Sequence, residues 1–397
     1  MSAIYDLKNQ VAVVGVGQSE YGRVLDDMSP VRLLAKAFRA ALEDSGLTKD
    51  DIDGFVTSHG APGGADYDEF AVHAGMHIKW VNQSWTHGRW GTTSLTQAAL
   101  ALCAGLAEYV VVMNATISAH GYGRYFPRGG GWSEGLRDIG GGQGQVNYHG
   151  VDTPGAATSL VAREYMRKYG ATSEQLGTVA VTYRKHAQLN PRAIMYGRPM
   201  TLDNYLESRF ISPPFRLFDY CLTNEGANAI ILTTAARAKD LKQKPVYLTG
   251  VQGIQSNRDD FIAFARPGLA VGMQQDFDYV AGSQQAYEMA GVTQGDVDGL
   301  YIYDSFSTNL WMILERYGFV EAGEAPAWIQ DGRIELGGEL PVNTNGGLMS
   351  EGHYGGNAHF IEMVRQLRGE CGPRQIANAE VLQWATPFGD TMIMTKG

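Results

Sequence analysis

Three short stretches hold residues whose types suit proton transfer. Tyr303-Asp304-Ser305-Phe306 sets a phenol, a carboxyl and a hydroxyl side by side. Gly352-His353-Tyr354-Gly355-Gly356-Asn357 puts an imidazole and a second phenol in a glycine-rich turn. Between them lies PVNTNGG, residues 341–347. Phenols donate and accept protons, and imidazole does both near neutral pH. Glycine lets backbone come close to a ligand. Asn345 and Asn357 fit two roles, pocket polar groups or supports of the glycine-rich turns.

Other chemistries find less support. The three cysteines, Cys103, Cys221 and Cys371, form no CxxC pair, so neither a disulfide framework nor a zinc cluster is expected. No histidine is paired with a cysteine at ligand spacing, and no metal is assigned. The glycine runs at 129–131 and 140–142 are not a GxGxxG between strand and helix, so no dinucleotide site is expected. A formal charge of −10 argues against nucleic-acid binding, yet leaves room for an anionic ligand held by a local basic patch or a helix N-terminus. No signal peptide is visible, and the most apolar stretch, Ala98 to Met113, is interrupted by Glu108 and too short to span a bilayer. The expectation is a cytoplasmic protein without membrane contact.

A duplication must position these residues. SGLTKDDIDGF at 45–55 returns as AGVTQGDVDGL at 290–300: Gly46, Thr48, Asp53 and Gly54 correspond to Gly291, Thr293, Asp298 and Gly299, 245 residues on. A helical pattern precedes each copy, a strand-like run follows it, and an apolar strand lies upstream of both. Alternating strands and helices predict an α/β protein with substantially parallel sheets. The halves divide near the charged stretch KDLKQK, giving 1–240 and 241–397. Residues 115–215 do not fit the repeat and read as a long insertion in the first half, a lid or loop region over a pocket.

Taken together, these segments resemble the thiolase superfamily, in particular its sterol-carrier, lipid-transfer-like branch. DYCLTNEGANAIIL at 219–232 looks like the segment closing the first half in that branch, residues 341–347 and 352–357 like its N-x-x-GG and G-H-P-x-G signatures, and QLRGECGPRQIANAE at 366–380 like its closing helix and turn. The resemblance implies an α/β thiolase fold: duplicated halves forming a layered αβαβα core, with a long insertion in the first half.

It also implies a departure in chemistry. A thiolase carries its acyl group on a cysteine thiolate. Counting back from the turn Gly105-Leu106-Ala107-Glu108-Tyr109-Val110, Gly88 stands at the nucleophile position. The family's H-D-C-F motif becomes Tyr303-Asp304-Ser305-Phe306, and the surviving cysteines read as structural. Enolate stabilisation without a nucleophile suits a retro-aldol cleavage of a β-hydroxyacyl-CoA. Tyr303, Tyr354 and His353 are the expected catalytic groups, with Tyr354 favoured as base and Tyr303 as proton donor to Cα. A free phenol titrates near pH 10, so a base working near neutrality needs a shift of about three units, ~4 kcal/mol. Gly88, Ser305, Asn345, Gly355, Gly356 and Asn357 are the expected substrate and CoA contacts.

Members of this branch with the YDSF motif are similar to bacterial steroid side-chain aldolases. These cleave a 17-hydroxy steroid C22-CoA thioester to a 17-ketosteroid and propionyl-CoA, beside a small OB-fold, zinc-ribbon subunit. The implied assembly is a homodimer within a heterotetramer, paired along an edge strand near Tyr109 to Ala115, with no cofactor beyond the CoA thioester of the substrate. Two other readings fit the residues: an acyl-CoA or lipid-binding protein without chemistry, and an acyltransferase with a hydroxyl nucleophile such as Ser94.

Overall fold

A computed structural model describes residues 7–58, 67–84, 91–117, 154–254 and 283–397. The first half runs β1 (Val11–Gln18), α1 (Pro30–Ser45), β2 (Gly54–Ser58), α2 (Tyr67–Ala74), β3 (Trp80–Ser84), α3 (Gly91–Cys103) and β4 (Tyr109–Ile117). The described part of the insertion holds α4 (Pro154–Tyr169), α5 (Ser173–Ala187), α6 (Leu202–Glu207) and the short strands β5 (Phe210–Ser212) and β6 (Phe215–Arg216). Then come β7 (Glu225–Thr234), α7 (Ala235–Ala238), β8 (Val246–Gln252), α8 (Gln285–Ala290), β9 (Gly299–Ile302), α9 (Thr308–Arg316) and α10 (Ala325–Trp328). The chain ends with α11 (Gly347–Ser350), α12 (Asn357–Arg368), β10 (Val381–Ala385) and β11 (Thr391–Lys396).

Among the described residues nine strands form one sheet in the order β3-β2-β4-β7-β1-β8-β11-β10-β9. Read outward from the central β1·β8 pair, β1-β7-β4-β2 mirrors β8-β11-β10-β9. The pairings match as well: β2·β4 and β9·β10 are parallel, while β4·β7 and β10·β11, like β1·β7 and β8·β11, are antiparallel. The sheet is therefore mixed, not substantially parallel, because β7 and β11, the last strand of each half, run antiparallel to both of their neighbours. β4 lies between β2 and β7, so the expected dimer edge near Tyr109 to Ala115 is interior. That strand is strongly apolar because it is buried; among the described residues the first-half edge is β3.

The repeated residues do the same work twice. Gly46 and Gly291 end α1 and α8 in the left-handed region, at φ 76° and 72°. Thr48 and Thr293 each form a capping box with an aspartate three residues on. Asp53 accepts the amides of Glu108 and Tyr109 at the start of β4, and Asp298 those of Glu380 and Val381 at the start of β10. A side chain on Gly15 of β1 would strike the Ala41 carbonyl of α1 at 2.6 Å, and one on Gly250 of β8 the Ala286 carbonyl of α8 at 2.2 Å. Glycine thus lets each half seat its helix directly on its strand.

Alternation along the strands builds five layers. Ala12, Val14, Phe55, Val111 and Ile231 face α1 and α2. Val11, Val13, Val56, Val110 and Leu232 face the other way, onto α3 and α12, which also cover Leu248, Leu382, Trp384 and Met392 of the second half. The outer face of the second half, Leu300, Ile302 and Ile393, packs on α8 and α9. The insertion adds a further cover there: Leu176, Val179, Tyr183, Tyr205 and Phe215 join the core of Leu310, Trp311 and Leu314. Its described portion is helical packing material as well as loop, and it belongs spatially to the second half.

Candidate active site

The loop after β9 and the loop before α12 come together through Asp304. Val342 bridges to Leu300 in parallel, and the Asn343 side chain extends the pairing, accepting from the Ile302 amide at 2.8 Å and donating to its carbonyl. Asp304 is fully buried and its carboxylate accepts the amides of Leu348 and Met349 at 3.0 and 3.3 Å, closing the first turn of α11. A Cβ on Gly347 would lie 2.2 Å from that carboxylate, and the residue sits at φ 67°. Glycine is required there by contact and by backbone alike. Asp304 holds the loop, while Tyr303 and Ser305 on either side of it face elsewhere.

Tyr303 and His353 meet. The Tyr303 hydroxyl is 3.0 Å from His353 Nε2, and the two rings lie edge to face at 5.9 Å. The His353 backbone is held on both sides by Asn224, whose Oδ1 accepts its amide at 2.5 Å and whose Nδ2 donates to its carbonyl at 3.3 Å. Cys221 Sγ lies 3.8 Å from His353 Nδ1. Cys221, expected to be structural, therefore touches the central imidazole. Burial pushes the His353 imidazole down to about 4, against the opposing pull of Asp304, so the ring is neutral at neutral pH. Burial, then Asp304, pushes the Cys221 thiol up to about 12, so no thiolate is available there at neutral pH.

Tyr354 is fully buried and differently employed. Its hydroxyl donates to the Glu225 carbonyl at 3.2 Å, and its ring stacks on Tyr21 at 3.7 Å between centroids. Side chains on Gly226 or Gly352 would strike that ring at 2.6 and 2.3 Å, so two glycines make its slot. Burial, followed by Tyr21 and Glu351, holds the phenol well above its ordinary value. Tyr21 also lines a cleft of about 410 Å3 with Gln18, Ser19, Glu20, Lys36, Pro191 and Arg192. The Arg192 guanidinium lies 5.6 Å from the Tyr21 ring centre.

Beneath these groups runs a polar chain that the motifs did not disclose. His359 Nε2 is 3.2 Å from Asp304, and His359 Nδ1 is 3.2 Å from Asn345 Nδ2. Asn345 donates to Glu351 Oε2 at 2.5 Å, and Asn190 of the insertion donates to Glu351 Oε1 at 3.0 Å. Burial, then the Glu362 carboxylate, raises Glu351 to about 7. Glu351 directly precedes the G-H-Y-G-G run, a carboxyl beside the one conspicuous histidine, and that adjacency is the only trace of it in the sequence.

The remaining expected contacts fall as follows. Ser305 is half-buried; its hydroxyl accepts from Asn309 at 3.1 Å and its carbonyl from the Cys221 amide at 3.0 Å. Asn345 is fully buried in the chain just described. Gly355, at φ 63°, and Gly356 turn the backbone into α12, whose first residue is Asn357. A Cβ built on Gly91 would meet Gly356 Cα at 3.5 Å, so the N-termini of α3 and α12 lie side by side. Gly88 lies outside the described residues. Ser94 is buried on α3. His73 and His77 stand four residues apart, but α2 stops at Ala74, so they share no helix face. Among the described residues no group of three His, Cys, Asp or Glu side chains could hold a metal ion, and no helix is long and apolar enough to cross a membrane.

A mirrored sheet around two central helices whose N-termini lie side by side, with His353 in the segment leading into one of them, defines a thiolase-fold enzyme. Residues 275–391 match the family model described as thiolase C-terminal domain-like. The chain is 35% identical to the 17-hydroxy-3-oxo-4-pregnene-20-carboxyl-CoA lyase of Mycobacterium tuberculosis, over 91% of this chain and 92% of that one. It is 32% identical to the steroid side-chain-cleaving aldolase of Thermomonospora curvata, over 91% of each. The solved Ltp2-ChsH2(DUF35) aldolase superposes with a TM-score of 0.84 at 30% identity, covering 98% of both chains. The chain belongs to the steroid side-chain-cleaving aldolases of the thiolase superfamily, and is a carbon–carbon lyase.

Proposed function

We propose that this protein is a retro-aldolase cleaving a β-hydroxyacyl-CoA, and that a 17-hydroxy steroid C22-CoA is its substrate, yielding a 17-ketosteroid and propionyl-CoA. The observation that carries the reading is the Tyr303–His353 pair, with His353 four residues ahead of α12, whose N-terminus lies beside that of α3. A base removes the β-hydroxyl proton, the carbonyl forms as the Cα–Cβ bond breaks, and the electron pair passes into the thioester enolate. An acid then protonates Cα. Helix N-termini favour the developing negative charge on the thioester oxygen. No cofactor is needed, because the thioester is the electron sink.

The burial of Tyr354 favours its protonated form, which suits the donor at Cα. Tyr303, whose oxygen faces an imidazole nitrogen, suits the base. This reverses the order favoured from sequence. The cycle closes when Tyr303 loses the proton it gained and Tyr354 regains the one it gave, before the next substrate binds. Ser305, Gly355, Gly356 and Asn357, with Gly88, would line the thioester's path, and Asn345 would support it from below.

The two-part name of the solved relative supports a partner. We take it to be a small OB-fold, zinc-ribbon subunit on each protomer of a cytoplasmic homodimer, which would pair along the β3 edge.

The deciding experiment incubates the protein with the steroid CoA thioester, with and without that subunit, and follows products by mass spectrometry. Ketone and propionyl-CoA in equal amounts are expected. Tight binding without cleavage would mean a carrier, and an acyl-enzyme mass increment would mean an acyltransferase.

A further inference from the structure

The segment from Asp219 to Asn224 joins the insertion to β7, and nothing in the retro-aldol scheme uses it. Yet it is anchored at each step. Asp219 is fully buried and accepts hydrogen bonds from Tyr205 and Ser307, Tyr220 bridges to Phe306, and the Cys221 amide donates to the Ser305 carbonyl at 3.0 Å. Asn224 takes both backbone groups of His353. The Cys221 side chain is thereby fixed beside the imidazole, with sulfur 3.8 Å from Nδ1, while Nε2 faces the Tyr303 hydroxyl at 3.0 Å.

We propose that Cys221 is a positioning residue that sets the tautomer of His353: its thiol donates to Nδ1, leaving the ring proton on Nε2, directed at the Tyr303 oxygen. Only one proton is shared by the two ring nitrogens of a neutral imidazole, and the bond made at one decides what the other can do. Sulfur is a weak acceptor, whereas an unprotonated imidazole nitrogen is a good one. The S–H···Nδ1 arrangement is therefore the better use of that contact.

Its consequence reaches the reaction. Whether Tyr303 takes a proton or gives one, it passes through its phenolate, and that oxygen needs a donor. A proton on Nε2 supplies it; a proton on Nδ1 would leave a lone pair against a negative oxygen. Cys221 then acts through His353 on Tyr303 and touches no substrate.

The catalytic consequence rests on the retro-aldolase reading, but the tautomer can be read without turnover. The test is the 15N spectrum of the histidine rings in the whole protein, with His353→Asn assigning the His353 signals. Wild type should show the Nε2–H form, Cys221→Ser should keep it, and Cys221→Ala should lose it in whole or part. If the protein cleaves its substrate, Cys221→Ala should lower kcat by ~10- to 100-fold, by analogy with the loss seen when the outer partner orienting a metal-bound histidine is removed. KM should be unchanged, and Cys221→Ser should restore most of the rate. A wild-type His353 protonated on Nδ1, or a tautomer indifferent to Cys221→Ala, overturns the proposal. The expected spectra without cleavage of any β-hydroxyacyl-CoA would leave the tautomer standing and remove the aldolase reading instead.

Discussion

Asn224 grips His353 by both of its backbone polar groups, across 129 residues of chain. The imidazole is thus aimed from its own peptide units, with Cys221 as a second point of contact. Asn224→Ala would leave an N–H and a C=O without these partners at a half-buried position. The expected loss is about 1–3 kcal/mol of stability for each group left unpaired, together with a lower kcat. Chemical denaturation and steady-state rates check this, and wild-type behaviour in both would show that the grip does not matter.

Tyr303→Phe keeps the ring and removes only the oxygen facing His353. A drop in kcat of about a hundredfold to ten-thousandfold is expected, the range for a lost acid–base group, with KM nearly unchanged. Tyr354→Phe should cost a similar factor, and its fold should survive, because the stacking on Tyr21 and the slot between Gly226 and Gly352 need no hydroxyl. Near-normal turnover in both variants would remove the tyrosines from the mechanism.

Gly347→Ala and Gly105→Ala make a controlled comparison. Both positions have left-handed backbone, φ 67° and 71°, but a Cβ at 347 strikes Asp304 whereas nothing lies within 4 Å at 105. Gly105→Ala should cost roughly 1 kcal/mol from backbone strain alone. Gly347→Ala should cost several times more and depress activity, since Asp304 must move and release the amides of α11. Equal unfolding midpoints for the two would contradict this account.

Glu351 gives the site a signature in the pH dependence of stability. Its carboxyl is raised from 4.5 to about 7 by burial. Between those values the folded protein holds a proton that the unfolded chain has released. The stability this contributes is complete below pH 4.5 and is lost as pH rises through 7. Glutamine carries no such proton. The stability of wild type relative to Glu351→Gln should therefore fall across that interval, by about 3 kcal/mol in all. Urea titrations at several pH values read it directly, and a flat difference would show that Glu351 titrates normally.

The parts of this molecule legible in its sequence are those where backbone geometry dictates residue type. Gly46 and Gly291 had to end helices, Thr48 and Thr293 to cap turns, and Asp53 and Asp298 to hold the next strand, so the duplication survived as identities. The motif position of His353 was legible for a similar reason, being set among glycines, and that of Tyr303 through the Y-D-S-F run it opens. The other partners of His353 were not. Asn224 and Cys221 come from another half of the chain, and no spacing rule links positions so far apart. The apolar strand at 109–117 misled because burial on both faces and an adhesive edge look alike in composition, and only the strand order separates them.

The insertion also changes what counts as a unit of inheritance. Its helix α5 is numbered with the first half, yet Tyr183 packs with the Trp311 core, Arg184 donates to Ser350, His186 contacts the Asn343 carbonyl and Asn190 reaches Glu351. A chain cut at residue 240 would deprive the downstream piece of its outer wall and leave the upstream piece a helix with nothing to cover. The two repeats have become mutually dependent tenants of one core. Neither could now be exchanged for its counterpart in a relative unless α4 and α5 travelled with the half they cover, not with the half that encodes them.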